Sequence, residues 1–203
     1  SELTGQAAEE YKGAHPQIKE MMQRFMISYH VSSSFYGNLD HNLMGAHIEE
    51  AVYAPLYYGY GCKNSAVPSR SPDGQRSELA RHFEQEILER APESVLVLVK
   101  ASPEVIRERI RTDSHIDSES IKTQYKSKPF GEPTRGVVRE EDVEHVLDRF
   151  LEEFNASLLK NKIVLDTTKA TVTTTLAEFV DKVEPFLTES DWQRMVEHST
   201  TQR

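Results

Sequence analysis

Apolar side chains recur at helical spacing in several long stretches of the chain, and this spacing predicts amphipathic helices. One helix begins at Pro16, which suits a first helical turn because proline has no backbone N–H to leave unpaired. Further helices are predicted from Asp73 to Arg90, from Glu140 to Leu159 and from Thr171 to Leu187. The Glu140–Leu159 helix has the clearest apolar stripe, formed by Val143, Val146, Leu147, Phe150, Leu151, Phe154 and Leu158.

Two short apolar segments predict β-strands, and a third segment predicts a weaker one. Ser94–Lys100 contains an uninterrupted Val-Leu-Val-Leu-Val run, typical of a strand that is covered on both faces. Lys162–Leu165 is the second strand, and Asn42–Ile48 is the weak third, in which Gly45 lowers the β propensity. Strands that alternate with helices predict an α/β fold with a parallel sheet layered between helices.

Composition narrows the class of protein. The 203 residues are enough for one α/β domain with a core, and 28% charged with 37% hydrophobic residues is typical of a soluble globular chain. The net charge of −9 argues against broad nucleic-acid binding. A single cysteine, Cys62, allows no intrachain disulfide, which favours a cytoplasmic location. No apolar run is long enough to span a membrane, so no membrane partner is expected.

A more specific signal lies between Val95 and Arg111. This segment reads Val-Leu-Val-Leu-Val-Lys-Ala-Ser-Pro-Glu-Val-Ile-Arg-Glu-Arg-Ile-Arg. It resembles the fourth strand and the arginine-bearing helix of P-loop nucleoside and thymidylate kinases. In the same order, residues 112–138 resemble the lid of that family, Glu140–Leu159 the helix after the lid, and Ile163–Thr168 the fifth strand with its adenine-side loop.

The resemblance implies a single P-loop-kinase-like domain over residues 1–203, with a three-layer parallel sheet and flanking helices. It also implies that ATP is the phosphoryl donor, that magnesium accompanies its phosphates and that the acceptor is a small molecule. A nucleoside, a nucleotide or another small hydroxyl compound would fit. The family's lid closes over the site to exclude water.

The motif that defines the family, G-x-x-x-x-G-K-[ST], is absent from the chain. The nearest string, Gly59–Ser65, has the wrong spacing and does not lie between a buried strand and a helix. In this family the P-loop strand is the central one, so its loss leaves backbone groups unpaired inside the sheet. We therefore expect an incomplete sheet, completed by a missing N-terminal segment or another copy in a homodimer, unless the fold is a different one.

Four basic residues are candidates for neutralising charge on a transferring phosphoryl group. Arg107 and Arg111 lie one helical turn apart, and the resemblance adds Arg135 and Lys128 from the lid. Arg107, Arg111 and Arg135 are assigned catalytic roles, and Lys128 a substrate-binding role. The alternative is a solvated helix edge that pairs with its acidic neighbours.

His47, Glu49 and Glu50 follow the weak strand, where the kinase family often carries an acidic residue. Glu49 is the candidate general base or outer-shell magnesium ligand, while His47 and Glu50 are candidate substrate contacts. The alternative is a helix start with acids at its positive end. Tyr53, Tyr57 and Tyr58 are predicted to stack on a base or sugar, unless they belong to the core.

Asp166, Thr167 and Thr168 follow the last predicted strand, and the resemblance implies that they contact the adenine of the nucleotide. The alternative is that they cap the next helix. His41 with Asp40 has no second cluster of ligands, so no metal site formed by protein side chains is predicted.

These observations predict an ATP-dependent phosphotransferase whose nucleotide site is incomplete in this chain. One alternative is a non-catalytic, kinase-derived interaction module, favoured by the acidic composition and the absent P-loop. Another is an unrelated α/β enzyme with a site around His47 and Glu49.

Overall fold

The computed structural model describes most of the chain, over residues 6, 10–11, 13–31, 42–61, 77–112 and 138–194. It divides into two compact units. One comprises Ser1–Pro92 with Ser102–Leu158, and the other Glu93–Ala101 with Leu159–Arg203. None of the helices in these described ranges has the length and apolar character needed to cross a bilayer.

The first unit is helical wherever it has regular structure among the described residues. Its elements are α1 (Pro16–Val31), α2 (Ala46–Tyr53), a π-helical turn (Ala54–Tyr58), α3 (Ser77–Arg90), α4 (Pro103–Thr112), a 3₁₀ turn (Glu140–Asp142) and α5 (Val143–Ala156). Helix α2 contacts α1, α3 and α5, and α4 contacts α5. The short helix α2 is therefore the element around which the longer ones pack.

The core of this unit forms where α2 and its π-helical turn meet α5. Val52, Tyr53, Tyr57 and Val146 are buried together there. The ring of Tyr53 packs edge-on against Phe150, with ring centroids 5.5 Å apart. Burial of this apolar and aromatic surface is the main source of stability for such a helical unit.

The second unit contains the sheet. Strand β1 (Val95–Lys100) pairs in parallel with β2 (Asn161–Asp166), in a register that joins Val95 to Asn161 and Lys100 to Asp166. Helix α6 (Val172–Val183) contacts β2, and a 3₁₀ turn (Glu184–Phe186) follows it. A capping box formed by Thr171 and Thr174 starts α6, which confirms Thr171 as its cap.

The α/β class and the two stronger strands are confirmed, but the predicted strand at Asn42–Ile48 is wrong. Residues 42–44 have no regular structure, and α2 begins at Ala46. The buried side chains of Ile48, Ala51 and Val52 follow helical spacing rather than the alternation of a strand. The described residues consequently form a two-stranded sheet and not the three-layer sheet that the resemblance implies.

The two strands differ in how far they are covered. Val95–Leu98 are half-buried and Val99 is 59% exposed, so the expectation that β1 is covered on both faces is not met by the described residues. On β2, Ile163 and Leu165 are buried, and the Nζ atom of Lys182 donates to the Val164 carbonyl at 2.6 Å.

Val99 and Leu165 are register partners with opposite exposure, 59% against 3%, and make a matched pair for mutation. We expect Leu165→Ala to destabilise the sheet by about 2–4 kcal/mol, because it leaves a cavity, and Val99→Ala by under about 1 kcal/mol. Amide hydrogen exchange of the β2 backbone measures the loss of stability in each variant. Equal losses would mean that a further segment covers Val99.

Candidate functional site

The chain enters α2 through a strained turn. The Ala46 N–H donates to the Met44 carbonyl at 2.8 Å, and Gly45 between them has φ 71° and ψ −67°. These values define the rarer, positive-φ γ-turn, and Ala46 follows with φ 40°. Two successive positive φ angles are costly outside glycine, and such strain is more frequent at functional sites than elsewhere.

This turn lies directly against the carboxylate of Glu49, one helical turn later. A Cβ atom added at Gly45 would collide with the side chain of Glu49, including its Oε2 atom. Glycine suits this position for two reasons: it adopts a positive φ without strain, and it has no Cβ to occupy the space of the Glu49 side chain. The turn and Glu49 form one local structure.

Glu49 lines an open cavity of about 530 Å³ between α1 and the start of α2. Its lining also includes Glu50 and both apolar and polar side chains, among them Gln23, Met26, Ile27, Asn42, Met44 and Tyr58. The volume is within the usual range for small-molecule sites, roughly 300–1,000 Å³. The adjacent π-helical turn is a feature often found near functional sites.

The carboxylate of Glu49 makes no hydrogen bond or ion pair with the described residues. Burial alone raises its pKa above the ordinary value of 4.5, because no cation offsets the loss of water. Burial also raises the pKa of Tyr58, and the charge of Glu49 raises it further. The cavity thus contains a half-buried carboxylate whose raised pKa favours acceptance of a proton.

His47 faces in a different direction from Glu49. Two residues along a helix differ by about 200°, so these side chains lie on opposite faces of α2. His47 is buried, and its Nε2 atom lies 3.3 Å from Oε1 of Glu84 on α3. The structure therefore does not bring His47 and Glu49 into one site.

Glu84 is fully buried and holds several elements together. Ser157 Oγ and the Leu158 N–H each donate to it at 2.7 Å, and Arg81 forms an ion pair with it at 2.9 Å. Burial alone would raise the pKa of Glu84, but hydrogen bonds from His47, Leu158 and Ser157, with the charge of Arg81, lower it below 4.5. Its stabilising effect is therefore present above about pH 4.5 and is lost as the pH falls through the lower, folded-state pKa.

A second buried carboxylate, Glu153 on α5, extends this network. It pairs with Arg81 at 3.2 Å and with Arg149, and it accepts a hydrogen bond from Ser77. Arg81 thus bridges the two carboxylates between α3 and α5. We call the cluster of Arg81, Glu84 and Glu153 the buried hub.

The two arginines predicted to contact phosphate are held by carboxylates between α4 and α5. Arg107 pairs with Glu144 and donates to the Glu140 carbonyl at 3.2 Å. Arg111 pairs with the Glu140 side chain at 2.6 Å. Neither arginine lines the cavity beside Glu49.

The predicted stacking residues Tyr53 and Tyr57 belong to the core. Burial and the charge of Glu49 raise the pKa of Tyr53 to about 12. The Tyr57 hydroxyl donates to Asp142 at 2.9 Å, and the guanidinium of Arg139 lies 5.4 Å from the centre of its ring. The hydrogen bond to Asp142 joins Tyr57 to the Glu140–Asp142 turn, so the hydroxyl of Tyr57 is already bonded within the protein.

The predicted adenine-side residues lie at the end of β2. The Thr168 N–H donates to Asp166 at 3.0 Å, and the Thr167 N–H donates to the Lys100 carbonyl at 2.7 Å. The hydrogen bond from Thr168 lowers the pKa of Asp166, and Lys100 contributes with its charge. These contacts terminate the sheet, while the helix cap is Thr171.

Arg135 and Lys128 lie outside the described residues, as do most of the predicted lid and the string Cys62–Ser65. Glu50 is buried on α2 and also lines the cavity. Within the described ranges no group of three metal-ligating side chains lies together. Comparison with protein-family models, curated proteins and solved structures finds no significant match.

Sequence reasoning missed the buried hub. Glu84 and Glu153 each lie within the apolar face of a predicted helix, next to Phe83 and Phe154 respectively, which was a usable signal. A carboxylate at such a position must find a partner when it is buried. The identity of that partner depends on which helices pack together, and spacing along one helix does not give it.

Glu84→Gln keeps the shape of the side chain but removes its charge, so Arg81 is left without its full partner. We expect a loss of about 3 kcal/mol in the free energy of unfolding, measured by urea denaturation at neutral pH. Glu86→Gln on the same helix is the control, since its partly exposed pair with Arg90 contributes less than about 1 kcal/mol. A loss at Glu86 equal to that at Glu84 would contradict the role given to burial.

Proposed function

We propose that this protein is an ATP-dependent phosphotransferase and that the cavity beside Glu49 binds the acceptor. The observation that carries the proposal is the half-buried carboxylate of Glu49, which has no partner among the described residues and a raised pKa. A carboxylate in that state can orient an acceptor hydroxyl and accept its proton. The kinase resemblance suggested an acidic residue after a strand at Asn42–Ile48; the structure has the start of α2 there, so the proposal depends on the state of Glu49 itself.

In the proposed reaction, the acceptor oxygen forms a bond to the terminal phosphorus of the donor. The bond from that phosphorus to the leaving phosphate oxygen breaks, and the hydroxyl proton passes to Glu49. Catalysis of this kind depends mainly on position and on electrostatic stabilisation, so the base needs only a modest driving force. The strained turn at Gly45 is compatible with that role, because the absence of a Cβ there leaves space for the Glu49 carboxylate beside the main chain.

The donor phosphates need a cradle that the described residues do not provide. The cap of α4 is occupied by Ser102, and that of α6 by the Thr171–Thr174 box. The described residues also contain no group of metal ligands suited to magnesium, so we assign no step to a metal. We propose that a further strand with a phosphate-binding loop completes the sheet beside β1 and gives it the layered, kinase-like form.

The partial burial of β1 and its edge that is unpaired among the described residues support the proposal that a further strand completes the sheet. Its apolar run is only half-buried, and its second edge pairs with no strand within the described ranges. A run of this composition is usual for an interior strand rather than an edge strand. A segment preceding residue 1 could supply both the strand and the phosphate-binding loop, whereas a second copy of the chain could supply only a strand, because the sequence contains no G-x-x-x-x-G-K-[ST] motif.

A second candidate function, a kinase-derived interaction module, is favoured by the arginine pairs. Arg107 and Arg111 are engaged by Glu144 and Glu140, and in that state they do not present free charge to a phosphate. A module that had lost catalysis would retain the scaffold in this condition. The two functions differ in whether Glu49 matters for any reaction.

The test uses the protein expressed from its complete open reading frame, with MgATP and a panel of nucleosides, sugars and amino alcohols. ADP release that depends on an acceptor is the expected result. We expect Glu49→Gln to lower kcat by roughly 100-fold or more, because it removes the base. We also expect its melting temperature to stay equal or rise, because the ionised side chain is buried without a partner.

Glu89→Gln, on the exposed side of α3, is the control and should keep full activity. Gly45→Ala gives a second check, since its methyl group would displace the Glu49 carboxylate and lower kcat without altering its charge. Full activity in Glu49→Gln would exclude Glu49 as the base. No acceptor-dependent ADP release across the panel, together with no thermal shift in millimolar MgATP, would favour the interaction module.

A further inference from the structure

The charges of the cavity beside Glu49 indicate more about its ligand than its size does. Two carboxylates, those of Glu49 and Glu50, are among the residues that line it. None of the described lining residues is a lysine or an arginine. The lining also includes His30, whose Nδ1 atom donates to the Met26 carbonyl at 2.7 Å. A ligand with a phosphate or carboxylate group beside Glu49 would therefore meet like charge with no lysine or arginine among the described lining residues to offset it.

The remaining wall favours a ligand with an apolar body. Met26, Ile27 and Met44 contribute flexible or branched aliphatic surface, and Tyr58 contributes an aromatic ring. Methionine side chains adapt to irregular shapes, and aromatic rings attract organic cations. The wall therefore suits a small ring or alkyl group better than a fully hydrated, polar ligand.

Glu49 then selects the polar end of that ligand. Its carboxylate is half-buried, is not paired within the described residues and lies beside Gly45. A half-buried carboxylate of this kind is stabilised by a cation that also donates hydrogen bonds. An ammonium group meets both needs, and its neighbouring hydroxyl can reach the second carboxylate oxygen.

We propose that the cavity beside Glu49 binds a small amino alcohol, with its ammonium and hydroxyl groups on the carboxylate of Glu49 and its apolar body against Met26, Met44 and Tyr58. This inference rests on the proposed function in one respect, because it makes that amino alcohol the phosphoryl acceptor. Binding itself needs no phosphoryl donor. The acceptor class is thereby narrowed to cationic hydroxyl compounds, and phosphorylated acceptors are excluded.

Three probes of nearly equal size test the charge preference: 2-amino-1-phenylethanol, 1-phenylethane-1,2-diol and mandelate, which are cationic, neutral and anionic at neutral pH. Binding is measured without ATP by isothermal titration calorimetry and by chemical-shift changes at Glu49 and Tyr58. We expect the amine to bind about ten-fold or more tightly than the diol, as for a charge-assisted contact, and mandelate not to bind. Glu49→Gln should reduce the amine to the level of the diol and leave the diol unchanged, while Glu89→Gln should alter neither.

Equal affinity for the amine and the diol would overturn the inference, as would preferred binding of mandelate or no binding of any probe at low-millimolar concentration. An amine affinity that survives Glu49→Gln would also overturn it. The proposed function can fail independently of this inference. If the amine binds but no acceptor-dependent ADP release is found, the cation site is supported and the phosphotransferase is contradicted. If neutral or phosphorylated acceptors are phosphorylated without any preference for the amine, the phosphotransferase is supported and the cation site is contradicted.

Discussion

The arrangement of the helical unit depends on the burial of one carboxylate, Glu84, between α2, α3 and the end of α5. A buried charge is costly unless each of its oxygens has a partner, and here the partners come from three parts of the unit. His47 reaches it from α2, Arg81 from its own helix, and Ser157 and the Leu158 N–H from the end of α5. Glu84 thus joins α2, α3 and the end of α5 through the contacts of one carboxylate.

The same contact decides which residues of α2 are available to a ligand. With His47 directed inward to Glu84, helical geometry turns Glu49 to the opposite face, over the strained turn at Gly45. On one face of α2, His47 contacts the buried carboxylate of Glu84. On the other face, the carboxylate of Glu49 makes no ion pair or hydrogen bond with the described residues. This difference is the reason that the proposed function assigns the chemistry to Glu49 rather than to His47.

The elements with strong local signals were predictable from the sequence. The Val-Leu-Val-Leu-Val strand, the Ser-Pro-Glu helix start and the Thr171 cap depend on neighbouring residues, and all three lie where the pattern placed them. The segment Asn42–Ile48 was misassigned, because a γ-turn at Gly45 and a short buried helix give no clear periodicity. The role of Glu84 depends on distant helices, so no local pattern contains it.

The candidate site was only partly predictable, because contacts between distant elements decide which side chains are available to a ligand. Glu49 was selected from a resemblance; it lines a cavity, and its role stays a prediction. Tyr53 and Tyr57 were chosen for their aromatic rings, but packing against Phe150 and bonding to Asp142 place them in the core. Arg107 and Arg111 were chosen for their charge, and their pairing with Glu144 and Glu140 follows from the contact between α4 and α5.

The account depends most directly on Glu49 being a half-buried carboxylate without a compensating cation in the free protein. Its pKa can be measured by following the carboxyl carbon of Glu49 by NMR as the pH is lowered, with the exposed Glu89 as an internal reference. The account predicts a pKa for Glu49 above 4.5, because burial disfavours the charged form. A pKa at or below 4.5 would show that Glu49 is solvated or already paired, and it would contradict both the proposed base and the cation site.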